Sequence, residues 1–408
     1  MNSQTAEILS KKKIFIFTAI PFIFFLFLLE IGLEIWGDTQ PNRVLCYDPI
    51  LGRSYCPNTK GYLKESQVNM YVEVNADGLL GKPYPVARTP GKLRVAVLGD
   101  SFTSGEAVAP DKKFAGVWGE KLSEKFPSGV EVINFGVGGT GTWQQLQQFH
   151  VKARKYKSDL TVLAFCWCND IENNIDQFIS KADHRNPLLD QYDISIWTRL
   201  EVKRKNFNKW LWNNSSLYQF TRTRYNHLEH GIKRIFLPDY MKGQSRSPHL
   251  ASISGKNLQN QRGIYNVRRV SLASAEEDKI KPAPGFKDTP SIFDDLFFFD
   301  SEGWEITRKL IIKLQSEVQE NGSKLVVIHF GGQGQYRMKK PLPIKQFDDF
   351  LSIQGIAHLN AFELFSQMKD KELEKYFIPN DGHFNAAGHA RFAGLSLELL
   401  VKLLQTKA

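Results

Sequence analysis

The sequence predicts an α/β fold: a parallel sheet layered with helices, led in by one apolar N-terminal helix and broken by a large insertion. Three features predict it. A charge-free run covers Ile14 to Leu29. Further on, short apolar runs alternate with segments at helical spacing in the order β-α-β-α-β, which calls for parallel strands joined by crossovers. That alternation stops near residue 171 and resumes near 300.

The N-terminal run, extended through Glu30 and Glu34 to Trp36, has the length to cross a bilayer, which takes about 20 residues. Pro21 is tolerable in such a helix. Both glutamates fit at the far interface, with Trp36 as an anchor. Lys11, Lys12 and Lys13 stand before the run, so the positive-inside rule puts the N-terminus in the cytoplasm and everything after about residue 37 outside. Residues 1–37 therefore read as a cytoplasmic tail and single-pass transmembrane anchor. The rest is extracytoplasmic, either periplasmic or on the outer face of the cytoplasmic membrane. A cleaved signal peptide is the other reading, but no A-x-A-like site follows the run, only "WGDTQPN". A buried core helix fits poorly with the lysine triplet.

Residues 38–91 are rich in Pro, Gly, Asn and Tyr and read as a stalk and lead-in. Cys46 and Cys56 close a short loop, "CYDPILGRSYC", and stand either as a disulfide or as two free thiols. Cys166 and Cys168 alternate along "LAFCWCND" and read as small apolar strand residues. Their C-x-C spacing is not a metal box. The formal charge of +10 suits an anionic lipid or glycan neighbour. No nucleic-acid recognition motif appears. Walker-type phosphate loops and strand-linked dinucleotide fingerprints are missing as well.

From residue 92 to 408 the elements come in order. "KLRVAVLG" (92–99) reads as a buried parallel strand ending at Gly-Asp-Ser. Residues 113–126 read as a helix stopped by Pro127. Residues 130–137 form the next strand, running into "GVGGTGT", and 142–156 the next helix. A third strand, 158–168, ends at Asn169 and Asp170. After the insertion come a helix over 300–322 with Gly322 at its C-terminal end, strands over 323–330 and 355–362, and a closing helix over 385–404 capped by Asn385. The insertion itself, about 171–299, is basic and aromatic in its first part and polar in its second. It reads as a lid or binding surface, or as an irregular excursion without a direct role.

Open parallel sheets bind ligands at the carboxyl ends of their strands. Four segments with unusual chemistry reach that edge: Gly99-Asp100-Ser101, the glycines at 136, 138 and 139, Asn169-Asp170, and "PNDGHFNAAGH" with Asp381, His383 and His389. A serine hydroxyl needs a base to become a nucleophile, and a histidine oriented by a carboxylate is the usual one. Backbone N–H groups at a glycine turn and an asparagine amide can hold an oxyanion. Taken singly, Ser101 also fits a helix N-cap, the glycines a tight turn, Asn169 or Asp170 a cap, and His383 a structural role. Their convergence on one edge favours chemistry.

"GDSFTSG", "NFGVGGTGT", "CND" and "DGHFNAAGH", in this order, resemble the four blocks of the SGNH (GDSL-type) hydrolase superfamily. The resemblance covers about residues 92–170 and 300–404. It implies a three-layer α/β/α, flavodoxin-like sheet and, with the N-terminal segment and the insertion, a membrane-anchored bacterial member. It further implies that Ser101 is the nucleophile and an oxyanion donor, that Gly139 (with Gly138 as rival) and Asn169 complete the oxyanion hole, and that His383 is the base. Two positions depart from the family pattern. The glycine of Gly-x-Asn-Asp is missing before Asn169. Asn380 holds the usual place of the acid; Asp381 stands two residues before His383, a spacing that resembles some membrane-associated acyltransferase-like members, so the resemblance implies Asp381 as the acid. His389 reads as a helix residue.

The resemblance implies no cofactor and no metal. The expected function is a membrane-anchored serine esterase or O-acyltransferase acting on acyl esters, acetyl among them, of an envelope glycan or lipid-like substrate through an acyl-enzyme. The expected partners are the bilayer, through the N-terminal helix, and an acylated glycan or small ester. Nucleic acid is not among them. The alternative is a catalytically inactive glycan-binding or scaffold protein on the same fold.

Overall fold

The computed structural model describes residues 11–36, 44–48, 51–65, 68–174, 192–194, short runs between 207 and 225, 267–269, 299–337, 342–379 and 381–406. The insertion read at 171–299 lies mostly outside the described residues. The chain divides into two units, Met1–Pro41 with Asn206–Phe236, and Asn42–Lys205 with Leu237–Ala408.

In the smaller unit the apolar run forms one helix, α1 (Lys11–Trp36), with Pro21 inside it. Its described side chains start at Phe17, and among the described residues no helix is long and apolar enough to cross a membrane. Glu30 accepts hydrogen bonds from Ser215 Oγ (2.8 Å), from the Ser216 N–H and from the Leu217 N–H (3.1 Å). Ser215 Oγ in turn accepts from the Tyr218 N–H (3.0 Å). A carboxylate is thus matched to the first N–H groups of a helical turn, which favour negative charge.

The larger unit starts with two antiparallel hairpins that periodicity did not reveal. They are β1 (Leu45–Asp48) with β2 (Gly52–Tyr55), and β3 (Lys60–Glu65) with β4 (Val68–Glu73). The Cys46–Cys56 disulfide ties the first hairpin. Five strands come next: β5 (Leu93–Gly99), β6 (Val130–Asn134), β7 (Leu160–Cys166), β8 (Lys324–Phe330) and β9 (Ala357–Asn360). They form one parallel sheet in the order β9-β8-β7-β5-β6. Within the insertion, Tyr192–Ile194 and Val267–Arg269 pair antiparallel.

Strand alternation sends successive β5 side chains to opposite faces, and each face has its own core. Ala96 and Leu98 pack with Leu146 and Phe149 of α4 (Thr142–Val151) and with Trp304, Ile311, Leu314 and Val318 of α5 (Glu302–Glu320). Phe347 and Leu351 of α6 (Ile344–Ile353), a helix the sequence reading missed, close that side. Val95 and Val97 pack with Phe114, Trp118 and Leu122 of α3 (Phe114–Lys125) and with Phe392, Leu400 and Leu404 of α7 (Ala386–Gln405). These are the helix, sheet and helix layers of an α/β fold. The expected caps form: Asn385 Oδ1 accepts from the Gly388 N–H (3.0 Å), and α5 is followed by Gly322 at φ +82°.

Helices α3 and α7 are joined by polar contacts as well as by packing. Trp118 Nε1 donates to Ala393 O (3.2 Å) and Ser396 Oγ (3.1 Å), and the Phe114 N–H donates to His389 Nδ1 (3.3 Å). His389 is therefore a buried helix residue, as expected, held neutral because burial and the nearby Lys113 charge push its pKa down to about 3. The helix after the Gly-Asp-Ser segment is bolted to the helix after the Asp-Gly-His segment, 275 residues apart in sequence.

Candidate active site

The buried strand β5 ends at Gly99, and Asp100 leaves it as an N-cap. Its Oδ1 accepts from the Phe102 N–H (2.9 Å), which starts a single helical turn, α2 (Ser101–Ser104). Ser101 is the first residue of that turn and is half-buried. Asp100 does the capping, so the Ser101 hydroxyl is not needed for it.

His383 arrives from the other end of the chain. The Ile378 N–H donates to His383 O (2.8 Å), and Phe377 bridges Phe384, which folds residues 377–384 into a tight turn. Ser101 Oγ and His383 Nε2 lie 2.7 Å apart. His383 Nδ1 is paired with Asp381 Oδ1, which also accepts the His383 N–H (3.3 Å). Asp381 is only 7% exposed. The Phe102 ring packs on the imidazole, centroids 4.7 Å apart. Serine, histidine and aspartate thus stand in the order a charge-stabilised proton transfer requires, with the carboxylate on the nitrogen away from the serine. The two-residue Asp381–His383 spacing is sterically sufficient.

The glycine turn follows β6. Asn134 Nδ2 donates to Thr103 O (2.6 Å), and Asn134 Oδ1 accepts from the Gly136 N–H (2.8 Å), so this turn is stitched to α2. Gly139 has φ +70°, a backbone state that favours glycine. At Gly138 a Cβ would stand 2.6 Å from Glu106 Oε1, so a larger residue there would have to displace the carboxylate that accepts from Tyr55 OH.

The segment before Asn169 corrects the sequence reading. Cys166 and Cys168 are not independent apolar strand residues; they are joined as a disulfide, with Cα atoms 5.1 Å apart. An extended strand would hold positions i and i+2 too far apart, but β7 ends at Cys166 and the chain turns. Trp167 is driven into the opposite core, where its Nε1 donates to His329 Nδ1 (3.1 Å). The staple stands where the family pattern has a flexible glycine. Asn169 comes directly after it, its Oδ1 3.2 Å from Cys168 Sγ. Asp100, Cys166 and Cys168 cluster within 4.8 Å, but the disulfide leaves no thiolate there for a metal.

Among the described residues, the N–H groups of Ser101 and Gly139 and the amide nitrogen of Asn169 donate to no acceptor. They are the candidate donors for an oxyanion.

Behind the triad lie two buried carboxyls. Burial pushes the Asp100 pKa up to about 6, offset by the His383 charge and by backbone N–H groups. Asp170 is pushed up further, by burial and by Asp100, although it accepts from the Cys166 N–H (3.0 Å) and Gln145 Nε2 (3.2 Å). On the other flank Lys113 is buried, its Nζ donating to Ser104 O (2.6 Å). Burial brings its pKa down to about 8 against the pull of Glu106. The sequence reading missed this flank, since Tyr55, Glu106 and Lys113 carry no local signature.

Residues 97–235 match the GDSL-like lipase/acylhydrolase family. This segment thus carries a GDSL-like lipase/acylhydrolase domain, which is a serine hydrolase domain acting on esters. Solved structures similar to it include a lipase/acylhydrolase from Enterococcus faecalis, at 11% identity over 76% of this chain and 96% of the other, with a TM-score of 0.36. TesA is similar at 9% identity over 76% and 99%, TM-score 0.37. A two-domain esterase active on acetylated mannans is similar at 13% identity over 77% and 50%, TM-score 0.35. None of the curated proteins matches.

Proposed function

We propose that the chain is a membrane-anchored serine esterase or O-acyltransferase that removes or moves a small acyl group, such as acetyl, on an envelope glycan. The 2.7 Å approach of Ser101 Oγ to His383 Nε2 carries this reading. His383 takes the serine proton as Ser101 attacks the ester carbonyl, and Asp381 stabilises the imidazolium. The tetrahedral oxyanion is received by the N–H groups of Ser101 and Gly139 and by the Asn169 amide. Collapse expels the alcohol, which takes the proton back from His383, and leaves an acyl-Ser101. Water or an acceptor hydroxyl then repeats the sequence in reverse.

The anchor rests on α1. Phe17, Ile20, Phe22, Ile23, Phe24, Phe25, Phe27 and Leu28 are all exposed, a helix apolar on every side, which water does not favour. The lysine triplet supports an inward N-terminus, and two disulfides support an oxidising, extracytoplasmic setting for the hydrolase domain.

The test combines catalysis and fractionation. Wild-type chain should release acetate from p-nitrophenyl acetate and from an O-acetylated glycan, Ser101→Ala should not, and the protein should sediment with membranes and resist salt extraction. Release by Ser101→Ala at the wild-type rate rejects the mechanism; recovery in the soluble fraction rejects the anchor.

A further inference from the structure

We propose that Arg53 is a specificity residue that recognises the carboxylate of an acidic sugar on the glycan bearing the ester. The inference rests on the esterase reading above and names the substrate class of that same site.

Arg53 lies on β2, in the hairpin tied by the Cys46–Cys56 disulfide. This hairpin is docked rather than loose. The Leu51 N–H donates to Asp48 Oδ1 (2.9 Å) at its turn, Lys152 Nζ donates to Ser54 Oγ (2.9 Å), and Tyr55 OH donates to Glu106 Oε1 (2.6 Å). Arg53 and Tyr55, two apart on a strand, share a face. That face meets the oxyanion turn. Glu106, held by Tyr55, abuts Gly138, and a Cβ at Gly139 would stand 3.3 Å from Arg53 Nη1. Leu51 and Arg53 also line a small cavity together with Gly99 and Thr140, next to the nucleophile segment. The guanidinium is therefore at the rim of the candidate oxyanion hole.

It is also unspent. Arg53 is half-buried, yet among the described residues no carboxylate or carbonyl pairs with it. The carboxylate at this corner, Glu106, accepts from Tyr55 and has Lys113 as its counter-charge. A partly desolvated guanidinium without an anion is costly unless a ligand supplies one. Its planar fork matches a carboxylate with two parallel hydrogen bonds. The chain's net charge of +10 attracts the same class of polyanion.

The experiment compares kcat/KM of the full chain on an O-acetylated oligogalacturonate and on an O-acetylated xylo-oligosaccharide, for wild type, Arg53→Ala and Arg53→Lys. Charge-assisted hydrogen bonds of this kind set an expected fall of roughly 10- to 100-fold in the acidic-to-neutral ratio for Arg53→Ala, carried mainly by KM. Arg53→Lys should recover part of it, and added salt should shrink the wild-type preference. A ratio unchanged by Arg53→Ala overturns the proposal, as does an equal fall on both esters through kcat, which would place Arg53 in oxyanion stabilisation. Wild type inactive on both glycan esters but active on p-nitrophenyl acetate also overturns it. Inactivity on all three rejects the esterase reading itself.

Discussion

Asn169→Ala isolates the oxyanion hole from the triad. The Asn169 amide nitrogen donates to nothing among the described residues, so in the proposed oxyanion role its hydrogen bond is made only when charge appears on the substrate oxygen. Removing it takes away an interaction of the transition state and not of the bound ester, so the loss should fall on kcat with KM little changed. One such donor is worth about 3–4 kcal/mol of barrier, a fall in kcat of about 10²- to 10³-fold. Because no ground-state partner is orphaned and the residue is half-buried, folding stability should move by no more than about 0.5 kcal/mol. Steady-state hydrolysis of p-nitrophenyl acetate gives kcat and KM, and thermal melting monitored by circular dichroism checks the fold. A well-folded variant with kcat within threefold of wild type, or one whose loss lies in KM, refutes Asn169 as an oxyanion donor.

The same site sets two further outcomes. Opening the Cys166–Cys168 disulfide should loosen the turn that carries Asn169 and lower kcat by about 10- to 100-fold, the scale of a small misplacement of a catalytic group. Dithiothreitol titration and the Cys166→Ser, Cys168→Ser double variant measure this, with Cys46→Ser, Cys56→Ser separating the other bridge; unchanged kcat in the first double variant contradicts it. Asp100 has a folded pKa raised to about 6 by burial. Its contribution to stability is therefore present below its unfolded value near 4 and is lost as pH rises through about 6. Asp100→Asn keeps an oxygen for the Phe102 cap, so its melting temperature should gain on wild type between pH 4 and 7, and a constant difference across that range refutes the shift.

The parts of this molecule that repeat a period were legible in its sequence. Strands β5, β7 and β8 are short apolar runs, β5 ending in glycine and β8 followed by one, and α3, α4, α5 and α7 carry their buried residues at helical spacing. Ser101, His383 and Asp381, which the structure brings into contact, were legible because nucleophilic catalysis needs those residue types at one sheet edge, whereas Gly139 and Asn169 were picked out only by their resemblance to the family blocks. What escaped has no period to show. Two four-residue strands joined by a short turn, β1 and β2, leave too few residues for alternation to stand out, so Arg53 looked like any other charge. Cys166 and Cys168 looked like strand residues because nothing in "CWC" announces that the chain turns at Trp167; a tryptophan seated in the opposite core decides that. Glu106 gave no signal because its hydrogen-bond partner, Tyr55, comes from the lead-in hairpin, far away in sequence.

The most direct measurement is covalent labelling of the full chain by a fluorophosphonate probe, read by mass spectrometry of the modified peptide. The Ser101–His383–Asp381 arrangement predicts one stoichiometric adduct on Ser101, none in Ser101→Ala, and labelling slowed by orders of magnitude in His383→Ala. A folded wild-type chain that takes no label, or takes it on another residue, contradicts it.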